Sequence, residues 1–230
     1  MKRAPNFDPV AGIYRWLEIV TFGNSLWQCR CTFLEELQSC RNALVIGDGD
    51  GRFTARLLRE NPSIRVDALD GSREMLRALI RNAGAHTDRV RVHHADAREW
   101  TPASPPYDAI VTHFFLDCLT TEEISALACR LRDCITPTAR WIVSEFAIPR
   151  GAFGWAIARP LVGALYLAFR LLTGIQVSRL PNYHDAMVES GFRISRNRDA
   201  SSGLLVSEVW VPEPRSTKTA KTARPEILIG

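Results

Sequence analysis

The feature that most constrains the fold is a glycine loop between an apolar segment and an amphipathic one. Residues 43–46 form a short apolar run typical of a buried strand, and glycine occupies every second position of 47–51. Apolar residues over 53–58 then recur at helical spacing. A strand, a glycine loop and a helix in this order predict a ligand-binding turn at the carboxyl end of a parallel strand.

The rest of the chain alternates between strand and helix patterns. Further strands are predicted at 64–69, 90–94, 109–112, 141–146, 192–198 and 204–211, and helices at 75–80, 124–135 and 182–190. This alternation predicts an α/β fold with a largely parallel sheet covered on both faces. We expect an N-terminal helical cap over 1–40, in which one helical stripe runs from 26 to 37. The α/β domain then spans 41–211, and a disordered basic tail spans 212–230.

A long apolar segment interrupts the domain between the fifth and sixth strands. The pattern over 152–173 predicts a helix, but Arg159, Pro160 and Arg170 argue against a membrane-spanning one. Three interpretations stay open: a lid over a substrate, a peripheral membrane contact through 152–172, or a buried cap helix or homodimer face.

Composition and charge exclude several classes of function. The formal net charge of +4 is too small to indicate a nucleic-acid partner. The six cysteines show no zinc-ligand spacing with histidine, so we expect no metal and a set of reduced thiols. The first residues lack the apolar run of a signal peptide, and we expect a cytoplasmic protein, with peripheral membrane association left open.

Charge in the glycine loop favours one kind of ligand over another. A dinucleotide fingerprint would place its third glycine at position 52, which is Arg52. Asp48 and Asp50 would repel a pyrophosphate, whereas the sulfonium and ammonium groups of S-adenosylmethionine would be favoured beside them. A nicotinamide-dependent oxidoreductase is therefore disfavoured.

Two further carboxylates follow the next two predicted strands. Asp70 ends the second strand and could accept hydrogen bonds from both hydroxyls of a ribose. Asp70 could instead cap the following helix, although Ser72 is also placed to do so. Asp96 and Ala97 follow the third strand and could contact an adenine, while a capping role for Asp96 is equally consistent with the sequence.

These motifs in this order resemble the class I S-adenosylmethionine-dependent methyltransferases. The matching stretches are GDGDG at 47–51, VDALDGSREML at 66–76, Asp96-Ala97 and YDAIVTHFFLDCL at 107–119. The resemblance implies a Rossmann-like, doubly wound, seven-stranded sheet of order 3-2-1-4-5-7-6 with strand 7 antiparallel. The donor S-adenosyl-L-methionine, and the product S-adenosyl-L-homocysteine, would then contact Gly47, Asp48, Gly49, Gly51, Asp70, Gly71, Met75, Asp96, Ala97, His113 and Phe114.

One position departs from the family pattern. The family often carries an acid two residues before the first glycine, where this chain has Val45. We hypothesise that Asp48 compensates by binding the ammonium group of the donor. The segment 7–14 also resembles the opening of ubiquinone and menaquinone methyltransferases, which implies that Tyr14 lies on a helix that closes over the donor.

Three residues are candidates for acid–base chemistry at the acceptor. His113, at the end of the fourth strand, could be a general base, or a donor-contacting or structural histidine. Tyr14 and His184 could enter the pocket from the cap and from the segment before the last strand pair. We expect Asp117 and Glu145 to support neighbouring groups rather than to contact substrate.

The sequence predicts in-line methyl transfer to a small, apolar or aromatic molecule. The aromatic residues of 152–172 motivate this expectation. The alternative is a catalytically inactive binding protein that keeps the fold and uses 152–172 as a partner or membrane surface.

Overall fold

The computed structural model describes residues 24–102, 106–147 and 181–214, which contain one seven-stranded sheet of order β3-β2-β1-β4-β5-β7-β6. The strands are β1 (Asn42–Ile46), β2 (Arg65–Asp70), β3 (Val90–His94), β4 (Tyr107–His113), β5 (Ile135–Phe146), β6 (Phe192–Ala200) and β7 (Leu205–Pro212). Strands β1 to β5 pair in parallel, and β7 is antiparallel to both β5 and β6. The predicted fold class and strand order are confirmed.

Helices flank the strands in chain order. They are α1 (Ser25–Cys31), α2 (Arg52–Glu60), α3 (Arg73–Ala83), α4 (Thr121–Arg132) and α5 (Tyr183–Glu189), with short 3-10 turns at Leu34–Leu37, Gly84–Arg89, Leu116–Cys118 and Ser201–Gly203. Local sequence fixes their starts. A reciprocal capping box joins Thr120 and Glu123 at the start of α4, and the Ser72 hydroxyl accepts from Met75 N at the start of α3.

Two apolar clusters cover the two faces of the sheet. One packs Phe53, Leu57 and Leu79 of α2 and α3 against β1, β2 and β4. The other packs α4 and α5 against the opposite face, where Trp141 and Trp210 pair across β5 and β7. Burial on both faces explains why the central strands are continuously apolar rather than alternating.

Two predicted elements differ from the structure. The stripe over 26–37 predicts one helix, but α1 ends at Cys31 and a 3-10 turn follows. The Thr32 hydroxyl donates to Gln28 O at 3.0 Å, a bond that competes with a regular helix at that point. Strand β5 begins at Ile135 rather than at 141. Ile135 pairs with Tyr107 of β4, and the next pair is Arg140 with Ala109. The register shift between these two pairs places extra polar residues in β5.

Some predictions lie outside the described residues. These are the first helix of the cap with Tyr14, the helix at 152–173, and the tail from 215 onward. Of the predicted tail, the first residues are described: Pro212 ends β7, and Glu213 N donates to Gly191 O at 2.8 Å. Within the described ranges, no helix is long and apolar enough to cross a membrane.

Candidate donor site and acceptor cavity

The glycine loop joins β1 to α2 through three left-handed residues. Gly47, Gly49 and Gly51 have φ values of 69°, 64° and 79°, a region that side chains other than glycine adopt with strain. A Cβ on Gly47 would lie 2.5 Å from the Phe115 ring, and one on Gly51 would lie 2.5 Å from Leu79 Cα. A Cβ on Gly49 would meet nothing within 4 Å. The first and third glycines are thus required by packing, whereas the middle one borders open space.

The two loop carboxylates have different surroundings. The Asp48 side chain is buried, and its Oδ2 accepts from Thr54 N at 2.9 Å and from Thr54 Oγ1 at 2.7 Å. Its Oδ1 is buried and has no hydrogen-bond partner among the described residues. Burial raises the pKa of Asp48 to about 6. Asp50 instead forms an ion pair with Arg52 at 3.0 Å, so the charge of Asp50 is balanced within the loop.

Asp70 lies where β2 ends, beside the glycine loop. Its Oδ1 accepts from Ser72 N at 2.8 Å, and Ser72 in turn caps α3 by accepting from Met75 N at 3.2 Å. The capping role therefore belongs to Ser72 rather than to Asp70. Gly71 is exposed, and a Cβ there would meet nothing within 4 Å. Gly71 therefore borders open space among the described residues, as Gly49 does, at the carboxyl end of the strand next to β1.

Asp96 is engaged by a neighbouring cation. Arg98 Nε lies 2.9 Å from each Asp96 oxygen, and Arg98 N also donates to Oδ1 at 2.9 Å. These bonds hold the pKa of Asp96 below its usual value. Asp96 O accepts from Trp100 N at 2.9 Å, so the residue also starts a helical turn. Ala97 is buried next to it, and an adenine contact at this pair stays a prediction.

His113 and Phe114 end β4 in a constrained geometry. The His113 ring is 3% exposed and packs edge-on against Phe53 with centroids 4.5 Å apart. Neither ring nitrogen has a hydrogen-bond partner among the described residues, and burial holds the pKa of His113 well below its usual value. Phe114 has φ 54°, which is unusual for a residue with a side chain, and packs 4.9 Å from Phe146.

Arg30 also lies at this site, although it was not among the residues predicted from the sequence. It lies on α1, is buried, and its guanidinium carbon lies 5.4 Å from the centre of the Phe114 ring. Its positive charge opposes the rise that burial causes in the pKa of Asp48, and it adds to the lowering that burial causes in the pKa of His113. It therefore links the glycine loop to the end of β4. A basic residue inside an otherwise apolar helical stripe is the one signal that could have pointed to it.

A cavity of about 310 Å³ lies beside the ends of β5 and β7. It is lined by Asp117, Glu145, Phe146, Ala147, Pro181, Tyr183, His184, Asn197, Asp199, Val206 and Glu208. His184 Nε2 lies 2.8 Å from Glu208 Oε1, and this hydrogen bond raises the pKa of His184. His184 lines this cavity and His113 does not; the roles of both residues toward an acceptor stay predictions.

The described residues contain neither a cluster of metal ligands nor a disulfide. Among the described residues, no group of three or more His, Cys, Asp or Glu side chains could hold a metal ion. All six cysteines are free thiols, of which Cys129 is exposed.

Comparison with known proteins agrees with this geometry. Residues 43–138 match the model of a methyltransferase domain. Over 70 residues the chain is 41% identical to trans-aconitate 2-methyltransferase of Streptomyces avermitilis, a match covering 30% of this chain and 26% of that protein. The chain therefore matches about a quarter of that relative's length.

Solved structures share the fold at low identity. The mitomycin 7-O-methyltransferase MmcR is 16% identical with a TM-score of 0.68, over 90% of this chain and 60% of that one. CalO1, a methyltransferase of calicheamicin biosynthesis solved in its SAH-bound form, is 21% identical with a TM-score of 0.63, over 90% and 59% of the two chains. The sheet order, the left-handed glycine loop and the match of residues 43–138 to a methyltransferase domain together support a class I S-adenosylmethionine-dependent methyltransferase fold.

Proposed function

We propose that this chain binds S-adenosylmethionine at the glycine loop and transfers its methyl group to a small molecule. The observation that carries the proposal is the open space beside Gly49 and beside Gly71, which follow the neighbouring strands β1 and β2. Glycines at both positions let a ligand approach the backbone closely. Asp70 lies between them in the chain, where the carboxyl ends of parallel strands bind ligands.

The charges around this space fit the donor. Asp48 offers a buried, unpartnered Oδ1 for an ammonium group. The N–H of Thr54 is already bound by Asp48, so we assign the donor's carboxylate to Arg30 instead of the α2 N-terminus. Asp70 would accept from the ribose. Asp96 would accept a hydrogen bond from the adenine while it stays hydrogen-bonded to Arg98.

The donor supplies an activated methyl group on a sulfonium, so the protein contributes mainly position and exclusion of water. His113 would be a positioning residue, because it is buried, neutral and packed on Phe53. His184 is better placed to accept a proton. It lines the cavity, and Glu208 orients its ring. Tyr14 remains a predicted contributor outside the described residues.

We further propose that the acceptor is small and carries an apolar or aromatic body. Phe146, Val206 and Pro181 give the cavity apolar walls. Similar structures include a methyltransferase for mitomycin and one crystallised with apigenin. The curated relative named above is a trans-aconitate 2-methyltransferase, so this part of the proposal rests on the cavity walls.

Calorimetric titration with S-adenosylhomocysteine tests the donor site. We expect the wild-type protein to bind it, and Asp70→Asn to bind at least about ten-fold more weakly, since a charge-assisted hydrogen bond would be lost. Asp88→Asn is the matched control, because Asp88 is exposed on a 3-10 turn away from the loop.

Two results would count against the proposal. One is a failure of the wild-type protein to bind S-adenosylhomocysteine, and the other is tighter binding of NADH. Binding with no methyl transfer to any member of a broad acceptor panel would instead support the inactive binding protein.

A further inference from the structure

The cavity beside β5 and β7 has an unbalanced set of charges. Four of its lining residues are carboxylic acids, Asp117, Glu145, Asp199 and Glu208. None of the described lining residues is Lys or Arg, and His184 is the only basic side chain among them. Such a wall disfavours an anionic ligand and favours a cationic one.

Glu208 is already satisfied within the protein. Its Oε2 accepts from Tyr183 Oη at 3.1 Å and from Trp210 Nε1 at 2.8 Å, while Oε1 contacts His184. Three side chains contact this carboxylate, which is 2% exposed. Glu208 therefore holds these side chains in the cavity wall and needs no ligand to satisfy its oxygens.

Glu145 is different, because only one of its oxygens is satisfied. Its Oε1 accepts from Phe115 N at 3.1 Å and from Leu116 N at 2.8 Å. Its Oε2 is buried and has no hydrogen-bond partner among the described residues. The residue is 1% exposed and lines the cavity. A buried acceptor without a partner is unfavourable. Burial, and next the charge of Asp117, raise the pKa of Glu145 well above its usual value, against the opposing effect of the backbone N–H groups of residues 115–117. A cationic donor placed there would relieve both effects.

We infer that the cavity binds the methyl acceptor through a protonated amine that donates to Glu145 Oε2, with the apolar body of the molecule against Phe146 and Val206. This inference rests on the proposed function, since it assigns the cavity to the acceptor. It also changes the expectation for Glu145, which would contact the ligand directly besides holding the Phe115–Leu116 backbone.

Three probes that share one ring test this inference. Tyramine carries an amine, 4-(2-hydroxyethyl)phenol carries a hydroxyl in its place, and 3-(4-hydroxyphenyl)propionate carries a carboxylate. Their binding to the wild-type protein with saturating S-adenosylhomocysteine can be measured by calorimetry. We expect tyramine to bind about ten-fold tighter than the alcohol and the carboxylate to bind more weakly than both.

Two variants link this preference to the named residues. Glu145→Gln should abolish the preference for tyramine, while its amide oxygen can still accept from the backbone. Glu189→Gln removes an exposed carboxylate from α5 and should keep the preference. If Glu145→Gln does not fold, Val206→Phe provides a second test, because it fills the cavity without touching the Glu145 hydrogen bonds and should eliminate tyramine binding.

Equal affinity for the three probes, or a preference for tyramine that survives Glu145→Gln, would overturn the inference. Titration of the same proteins with S-adenosylhomocysteine separates the two claims. Donor-product binding without the amine preference contradicts only the cavity assignment. Amine preference in a wild-type protein that does not bind S-adenosylhomocysteine supports the Glu145 site and contradicts the proposed methyl transfer.

Discussion

Thr54 donates two hydrogen bonds to one oxygen of Asp48, from its backbone N at 2.9 Å and from its hydroxyl at 2.7 Å. The other oxygen of Asp48 is buried with no partner in the described part of the chain. The glycine loop therefore holds a half-satisfied carboxylate against the start of α2. A carboxylate kept in this state is destabilising for the fold unless a ligand completes it.

The first prediction concerns the pH dependence that Asp48 confers. Its pKa rises from 3.8 to about 6 on folding, because burial disfavours the charged form. The folded state then binds the proton more tightly, so the contribution of this group to stability falls as pH rises from about 4 to about 6. The two pKa values correspond to a loss of about 3 kcal/mol of unfolding free energy.

Asp48→Asn removes this titration. We expect the variant to be more stable than the wild-type protein at pH 8, and this advantage to shrink at pH 4, as measured by urea unfolding. S-adenosylhomocysteine binding should weaken in the same variant, since the proposed partner of the ammonium group is lost. A variant whose stability parallels that of the wild type from pH 4 to 8 would contradict the buried, titrating carboxylate.

The second prediction separates the packing glycines from the one that borders open space. Gly51→Ala places a Cβ 2.5 Å from Leu79 Cα and should cost roughly 3–5 kcal/mol of unfolding free energy. Gly49→Ala carries only the strain of φ 64° and should cost about 1–2 kcal/mol. Its methyl group would nevertheless enter the proposed donor space and weaken S-adenosylhomocysteine binding. Equal stability losses, or unchanged binding by Gly49→Ala, would argue against this division.

Most of the described fold could be predicted because its signals are local. The strand β3, for example, has the predicted bounds, 90–94. The early start of β5 could not be predicted, since its first residues are polar and enter the sheet through a register shift. The break after α1 depends on a side chain bonding to its own helix, which periodicity does not reveal.

For the candidate donor site, the sequence placed the backbone elements but not the ion pairs and buried charges. The glycine loop and Asp70 fall at the strand ends where the sequence placed them. The pairing of Asp50 with Arg52 and the burial of Arg30 were not predicted, because they depend on side-chain direction and on packing between distant segments. The unpartnered oxygen of Glu145 is likewise visible only once the backbone of residues 115–116 is in place.

The third prediction tests a buried polar contact remote from the proposed chemistry. The Tyr107 hydroxyl donates to Asp67 Oδ2 at 2.5 Å, and the Tyr107 side chain is buried. Tyr107→Phe keeps the ring but removes a donor to a carboxylate, which should lower the unfolding free energy by about 1.5–3 kcal/mol. Urea unfolding gives this value, and S-adenosylhomocysteine binding should be unaffected. A loss below about 0.5 kcal/mol, the range of ordinary surface substitutions, would show that the contact contributes little.

The last prediction concerns His184, which lines the cavity beside β5 and β7. Its hydrogen bond to Glu208 stabilises the protonated ring and raises its pKa above the usual 6.5, against an opposing effect of burial. A raised histidine pKa contributes stability that is fully present below about 6.5 and is lost as pH rises through the folded-state value. Glu208→Gln should therefore lower the His184 pKa. The stability gap between the wild type and this variant should also narrow between pH 6 and pH 9.

Proton NMR of the histidine ring follows the titration directly, with a His184→Gln variant to assign the resonance. Glu189→Gln serves as the control, because it removes an exposed carboxylate from the same helix without touching the Glu208 contact. A His184 resonance that titrates at or below 6.5 in the wild-type protein would contradict the ion pair. In that case Glu208 would not orient the His184 ring, and the proposal that His184 accepts a proton from the substrate would lose this support.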